Sequence, residues 1–313
     1  MSSLPIEVAI PLFILSAGIL AKGADIFTDG ATRLARAYKV SEFLIGTTLV
    51  AVATSLPELG VSGVASVRGA GEIALSNVIG SNIANIAFVL GVVLLIRPLI
   101  SRWLEMRRDV LFMLAVGSIG ALVIFDKVIQ RWEALALVVL YGACTYVWVL
   151  RRKKVKGKRR ASNPTGSVWL KLVVGALAIY VGAEFMVRSA LEMCVYFGVA
   201  QTAIGLTLVA LSTSLPEAAT SAMAARKRAM GMAIGNVVGS NIFNILVVLG
   251  VAGTLAPISL TSRAWSKLML FNVPLMLGLS ILLIALVRLG RIPRKLAPAL
   301  LACYVIFVWW AYV

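Results

Sequence analysis

One stretch of this chain is written twice. Residues 46–91 read GTTLVAVATSLPELGVSGVASVRGAGEIALSNVIGSNIANIAFVLG, and residues 205–250 read GLTLVALSTSLPEAATSAMAARKRAMGMAIGNVVGSNIFNILVVLG. The copies align without a gap at a constant offset of 159 residues, so Glu58 matches Glu217, Asn77 matches Asn236 and Asn85 matches Asn244. Similarity continues upstream, where Gly23-Ala24-Asp25 matches Gly182-Ala183-Glu184. About 30 of roughly 70 positions in the longer block are identical, which points to duplication,. A carboxylate in a Pro-interrupted apolar segment, repeated in both halves, is the sequence pattern of a transporter binding site.

Composition places the chain in a membrane. Of its 313 residues 60% are hydrophobic and 14% charged, and mean hydropathy is +0.97. Ten apolar runs fall near 7–34, 41–67, 72–96, 110–125, 134–150, 168–194, 202–225, 231–255, 266–287 and 296–313, on the scale of bilayer-crossing helices,. The expectation is an all-α polytopic membrane protein with ten transmembrane helices. The first run has no basic leader and continues into the repeat, so it is expected to stay in the mature chain,.

The net charge of +17 reports topology. With the N-terminus outside, loops on one side carry 22 Lys and Arg and loops on the other carry five. That split is the positive-inside rule, and it puts both termini outside and the basic loops in the cytoplasm. The basic surface then meets anionic lipid, and no nucleic-acid partner is expected. The three cysteines lie in or beside apolar runs without CxxC spacing, and there is no histidine. Neither a disulfide framework nor a zinc site is expected, and proton chemistry must use carboxylates.

The chain divides into a first repeat (1–150), a basic cytoplasmic linker (151–167) and a second repeat (168–313). Five spans on each side of the linker make the halves opposite in orientation, that is, two inverted five-helix repeats. Each Thr-Ser-Leu-Pro-Glu falls near the middle of its second span, so the pseudo-two-fold axis brings both to the bilayer centre. Pro57 and Pro216 lack a backbone donor and clash with the carbonyl four residues back, so both helices are expected to kink. Carbonyls near 51–54 and 210–213 are then expected to be free, as backbone lining a cavity is. With the hydroxyls of Thr54, Ser55, Thr213 and Ser214 and the carboxylates of Glu58 and Glu217, they form a hard, oxygen-rich ligand set suited to calcium. Two carboxylates balance one calcium or two sodium ions. A buried Glu costs about 2.5–3.5 kcal/mol on lenient insertion scales, which sets these residues apart from ordinary helix packing.

The second motif, from Asn77 to Asn82 and from Asn236 to Asn241, sits in the third span of each half. Gly80 and Gly239 suit close helix approach. Asn85 follows Ser81 by four residues and Asn244 follows Ser240 by four, so each pair shares a helix face. Asn85 and Asn244 are candidate neutral cation ligands. Asn77 and Asn236 fit either the site or helix packing. Elsewhere, Lys22–Asp25 and Glu184–Arg188 are spaced to pair along their own helices, as structural pairs or as lining of an access route.

These doubled motifs closely resemble the alpha-repeats of sodium/calcium exchangers and, more broadly, the calcium/cation antiporter superfamily in its compact prokaryotic form. The resemblance implies Glu58 and Glu217 as central calcium ligands. It implies further contributions from the Ala51 and Ala210 carbonyls, Thr54, Thr213, Ser55, Ser214, Ser81 and Ser240, with Asn85 in the same cluster. Sodium-coupled members usually carry Asp where this chain has Asn244, which leaves sodium or proton as the coupling ion. The implied activity is calcium efflux against a monovalent cation by alternating access in the cell membrane, through a monomer without a resident cofactor. The competing readings are a proton-coupled calcium antiporter and an exchanger of another divalent cation or of potassium. A channel and an intramembrane enzyme fit less well: the duplicated site is complete within one chain, and no nucleophile–base pair is visible.

Overall fold

The computed structural model describes residues 5–150, 166–196 and 213–312. Residues 151–165 of the expected linker and Ala210 lie outside the described residues, as do residues 202–212 of the run at 202–225. The remaining expected runs are helical. They form α1 (Ile6–Tyr38), the bent pair α2 (Glu42–Thr54) and α3 (Leu56–Val67), α4 (Gly71–Ile96), α5 (Trp103–Val123) and α6 (Arg131–Leu150). The second half supplies α7 (Gly166–Tyr196), α8 (Leu215–Arg226), α9 (Met230–Leu255), α10 (Ser262–Arg288) and α11 (Ala297–Tyr312). Among the described residues five helices are long and apolar enough to cross a membrane, or six with α2–α3 counted as one bent span.

Local chemistry sets the boundaries. The Ser41 and Thr261 side chains cap their helices by accepting the main-chain N–H of Leu44 and Ala264 at 3.1 and 3.2 Å,. At the turn after α3, Gly69 takes a φ of +76°, and its counterpart Arg228, 159 residues on, takes +63°. Glycine accepts that left-handed conformation freely, whereas arginine is strained there.

Burial orders the layers. In the most apolar windows of α4 and α9, 78% and 83% of residues are buried, against 22% for α1, so α4 and α9 form the centre. Their polar residues therefore face other helices. At the periphery α1 and α7 run antiparallel, packed chiefly on each other. Their glycines allow the approach: a Cβ on Gly23 would lie 2.7 Å from the Ile179 nitrogen, and one on Gly175 would lie 2.7 Å from that of Phe27,.

Two short antiparallel pairings tie the loops. β1 (Leu99–Ile100) pairs with β4 (Arg291–Ile292), and β2 (Val128–Ile129) pairs with β3 (Ile258–Ser259). β1 and β3 stand 159 residues apart, at equivalent places in the two copies. Each pairing therefore joins a loop of the first half to a non-equivalent loop of the second, and exchanging the halves converts one pairing into the other.

Candidate functional site

The bent pair α2–α3 and helix α8 carry the two glutamates. Between α2 and α3 the chain turns by 44° at Ser55, whose φ and ψ are −91° and 11°. Pro57 has no N–H to offer the Ala53 carbonyl, which interrupts the ladder there. The break directs Ser55 and the first turn of α3, with Glu58, into the protein. Ser214, with φ and ψ of −86° and −1°, occupies the same place before α8, with Pro216 in its first turn.

Glu58 and Glu217 are both 1% exposed. Ser55 crosses between the halves, its hydroxyl donating to Glu217 Oε1 at 2.9 Å. Thr54 donates to the Val50 carbonyl at 3.1 Å and lies 3.2 Å from Asn236 Oδ1. Thr213 lies 3.4 Å from both Asn77 Oδ1 and Ser81 Oγ. The expectation of free carbonyls is corrected at Ala51: its oxygen accepts the Ser55 N–H at 3.0 Å, with the Thr54 hydroxyl at 3.4 Å. The proline break falls two residues later than a free Ala51 carbonyl requires.

Asn77 and Asn236 act as clamps. Asn77 donates to Ser62 Oγ at 3.0 Å and approaches the Glu58 carbonyl at 3.5 Å. Asn236 repeats this with Ser221 at 2.9 Å and the Glu217 carbonyl at 3.5 Å. Each amide thus ties α3 or α8 of its own half to a threonine of the other half.

Asn85 and Asn244 begin π-helical turns, Asn85–Val89 and Asn244–Leu249. A π turn inside an α-helix is a frequent mark of a functional site. Asn85 donates to Asn241 Oδ1 at 3.0 Å, and Asn244 donates to Asn82 Oδ1 at 3.1 Å. Their own carbonyl oxygens are buried without a hydrogen-bond partner. The same holds for Glu58 Oε2, Glu217 Oε2, Ser214 Oγ and Ser240 Oγ. Six oxygens on equivalent motifs of both halves are therefore unsatisfied, against the strong tendency of buried polar atoms to be paired. Among the described residues no group of three or more His, Cys, Asp and Glu is placed to hold a metal. The donor set is two carboxylates with neutral amide and hydroxyl oxygens.

The residues 8–150 and 167–313 match the family of the sodium/calcium exchanger protein. This chain belongs to that family. It is 31% identical to the putative antiporter CaxA of Alkalimonas amylolytica, over 92% of this chain and 93% of that one. It is also 31% identical to the sodium/calcium exchanger MaX1 of Methanosarcina acetivorans, over 95% and 96%. Its fold is similar to that of the sodium-calcium exchanger NCX_Mj soaked with sodium and calcium, with a TM-score of 0.82, 31% identity and coverage of 96% and 97%. Membership supports cation antiport as the class of activity. The relatives are transporters rather than enzymes, and the exchanger-family chain is a multi-pass membrane protein.

Asn82 and Asn241 do not stand out in the sequence as partners of Asn244 and Asn85, nor do Ser62 and Ser221 as partners of the Asn77 and Asn236 amides. All four stand at equivalent positions in the duplicated block, and that recurrence was the available signal. Among the charged pairs, Lys22–Asp25 (3.7 Å) and Arg188–Glu184 (2.6 Å) form as their spacing predicts. Lys171 also pairs with Asp29, and Lys227 pairs with Asp25 at 2.7 Å.

Proposed function

We propose that this chain is a calcium/sodium antiporter in the cell membrane, built from ten spans in two inverted five-helix repeats with both termini outside and the basic loops cytoplasmic. Calcium, or the sodium ions that replace it, binds between Glu58 and Glu217. Thr54, Thr213, Ser55, Ser214, Ser81, Ser240, Asn85, Asn244 and the Ala51 and Ala210 carbonyls contribute around them. The observation that carries the reading is the set of six buried, unpartnered oxygens on the two copies of one motif. The strand pairings support the inverted arrangement, and relatives named as sodium/calcium exchangers support the ions.

The mechanism follows from charge. Two carboxylates out of water are costly unless compensated, and either one calcium or two sodium ions balances them. Calcium needs about 6–8 oxygens at roughly 2.3–2.6 Å and tolerates irregular geometry, which a mixed set of carboxylate, amide and hydroxyl ligands can supply. Because both loads require the same two carboxylates, they compete. An empty, closed site leaves the pair uncompensated, which disfavours a return without cargo. Asn244 supports a second reading, proton-coupled calcium antiport, since a neutral amide stands where sodium-coupled members usually carry an acid.

Calcium uptake into proteoliposomes, with the opposing gradient set in turn to sodium, potassium and protons, tests both. Uptake driven by internal sodium is the expected result. Uptake driven only by protons would select the second reading, and no calcium flux under any gradient would overturn both.

A further inference from the structure

We infer that Asn82 and Asn241 are positioning residues that turn the carbonyl oxygens of Asn244 and Asn85 toward the cation and set both positions as neutral ligands. The inference rests on the exchanger reading above. Asn82 and Asn241 are 2% and 3% exposed and face each other's halves. The Asn82 amide nitrogen lies 3.4 Å from the Asn241 main-chain oxygen and 3.6 Å from the Met276 sulfur. Neither can donate a hydrogen bond, so the NH2 of Asn82 belongs on that side and its Oδ1 is left to face Asn244. Asn244 must then present its NH2 to Asn82, at 3.1 Å, which turns its own Oδ1 away. The mirror arrangement is anchored by the Met113 sulfur, 3.7 Å from the Asn241 amide nitrogen, and places Asn241 Oδ1 3.0 Å from the Asn85 NH2. The outcome is the pair of buried amide oxygens without partners.

This geometry constrains the charge of the site. A carboxylate at position 244 would set oxygen against Asn82 Oδ1. It is accommodated only when it carries a proton to donate, or when Asn82 turns over and gives up its bond to the Asn241 main chain. The Asn82–Asn244 pair thereby holds the cluster at two carboxylates.

The test is calcium affinity of purified protein by isothermal titration, with melting of the ion-free protein as the fold control. Asn82→Leu removes the acceptor and is expected to weaken calcium binding by about 10–100-fold, as loss of a ligand's supporting partner commonly does. Asn82→Gln keeps an amide acceptor and an amide donor and is expected to lose less binding than Asn82→Leu, as is Asn241→Gln beside Asn241→Leu at the mirror position. Equal binding by wild type and both leucine variants would overturn the positioning role, as would equal losses in the leucine and glutamine variants. Should a leucine variant not fold, the glutamine variants decide alone, because abolished binding in well-folded glutamine variants also overturns it. A wild type that binds neither calcium nor sodium would overturn the exchanger reading instead.

A separate asymmetry carries a second inference, on the same reading. Lys227, just beyond α8, donates to the Asp25 main-chain oxygen at 2.7 Å and pairs with its carboxylate at 2.7 Å, while α1 packs along α8. The equivalent residues, 159 positions away, are Arg68, just beyond α3, and Glu184 on α7. That contact is not made. Glu184 pairs with Arg188 of its own helix, Arg68 forms no ion pair among the described residues, and α7 lacks comparable packing on α3. Leu56 and Val67 of α3 stand 52% and 65% exposed. Inverted repeats exchange equivalent contacts between oppositely facing states. The geometry points to two alternating latches: Asp25–Lys227 holds this state, and Glu184–Arg68 holds the opposite one.

Cysteine pairs D25C/K227C and R68C/E184C, in protein with Cys144, Cys194 and Cys303 replaced by alanine, test this with a short bifunctional thiol reagent. Each pair is expected to cross-link under opposite ion gradients, and each cross-link is expected to stop exchange. No cross-linking of R68C/E184C under any condition would overturn the second latch, as would normal exchange by cross-linked D25C/K227C. Cross-link yield is read on a gel, so the latches are tested even if calcium proves not to be the cargo.

Discussion

Ser55 of the first half donates a hydrogen bond to Glu217 of the second at 2.9 Å, while its counterpart Ser214 has no hydrogen-bond partner. The two carboxylates, equivalent by sequence, therefore differ in environment. Removing the partner of a buried polar atom exposes its full desolvation cost, about 1–3 kcal/mol. Ser55→Ala is expected to lower the stability of the ion-free protein by about that amount. Ser214→Ala, which breaks no bond, is expected to change it by less than about 0.5 kcal/mol. Thermal melting of both variants checks this, and equal shifts would mean that the serines are interchangeable.

The glutamates themselves give the sharpest prediction. Glu58→Gln and Glu217→Gln keep shape and remove one buried charge each. The ion-free protein is expected to melt at the same temperature or higher, because an uncompensated buried charge has been lost. A ligand at 100 times its Kd stabilises a protein by about 2.7 kcal/mol. Calcium at that ratio is expected to stabilise the wild type accordingly and to leave both variants unmoved. A full calcium-dependent shift in either variant would remove that glutamate from the site.

Much of this site was legible in the text of the chain, because duplication marks residues twice. Glu58 and Glu217 stand out as acids in apolar surroundings, and Pro57 announces the bend at Ser55. Asn85 and Asn244 share helix faces with Ser81 and Ser240 by spacing alone. The role of Asn82 and Asn241 was hidden, because sequence spacing does not say which end of an amide faces a partner on another helix. The Asp25–Lys227 pair spans 202 residues, so no local periodicity points to it. The Ala51 carbonyl is not freed, because a proline removes the donor for the carbonyl four residues earlier, and that residue is Ala53,. The π-helical turns also escaped, since their residues are as apolar as any α-helical run.

Gly239 ties the packing of the central helices to the ligands. A Cβ there would lie 2.5 Å from the Thr47 carbonyl oxygen and 2.7 Å from the Ala51 Cβ. The first is backbone in a π-helical turn of α2, Gly46–Val50, so it cannot turn aside as a flexible side chain can. Gly239→Ala must push α2 away from α9, and α2 carries both Ala51 and Thr54. Overpacking of this kind costs about 1–3 kcal/mol. The displaced ligands should weaken calcium binding as well. Gly142 in α6 is the control, because a Cβ there meets nothing within 4 Å. In a helix interior, Gly142→Ala is expected to be neutral or to stabilise by up to about 1 kcal/mol. Melting and calcium titration of the two variants measure both effects. If Gly239→Ala is as well tolerated as Gly142→Ala, close packing of α9 on α2 is not what holds Ala51 and Thr54 in place.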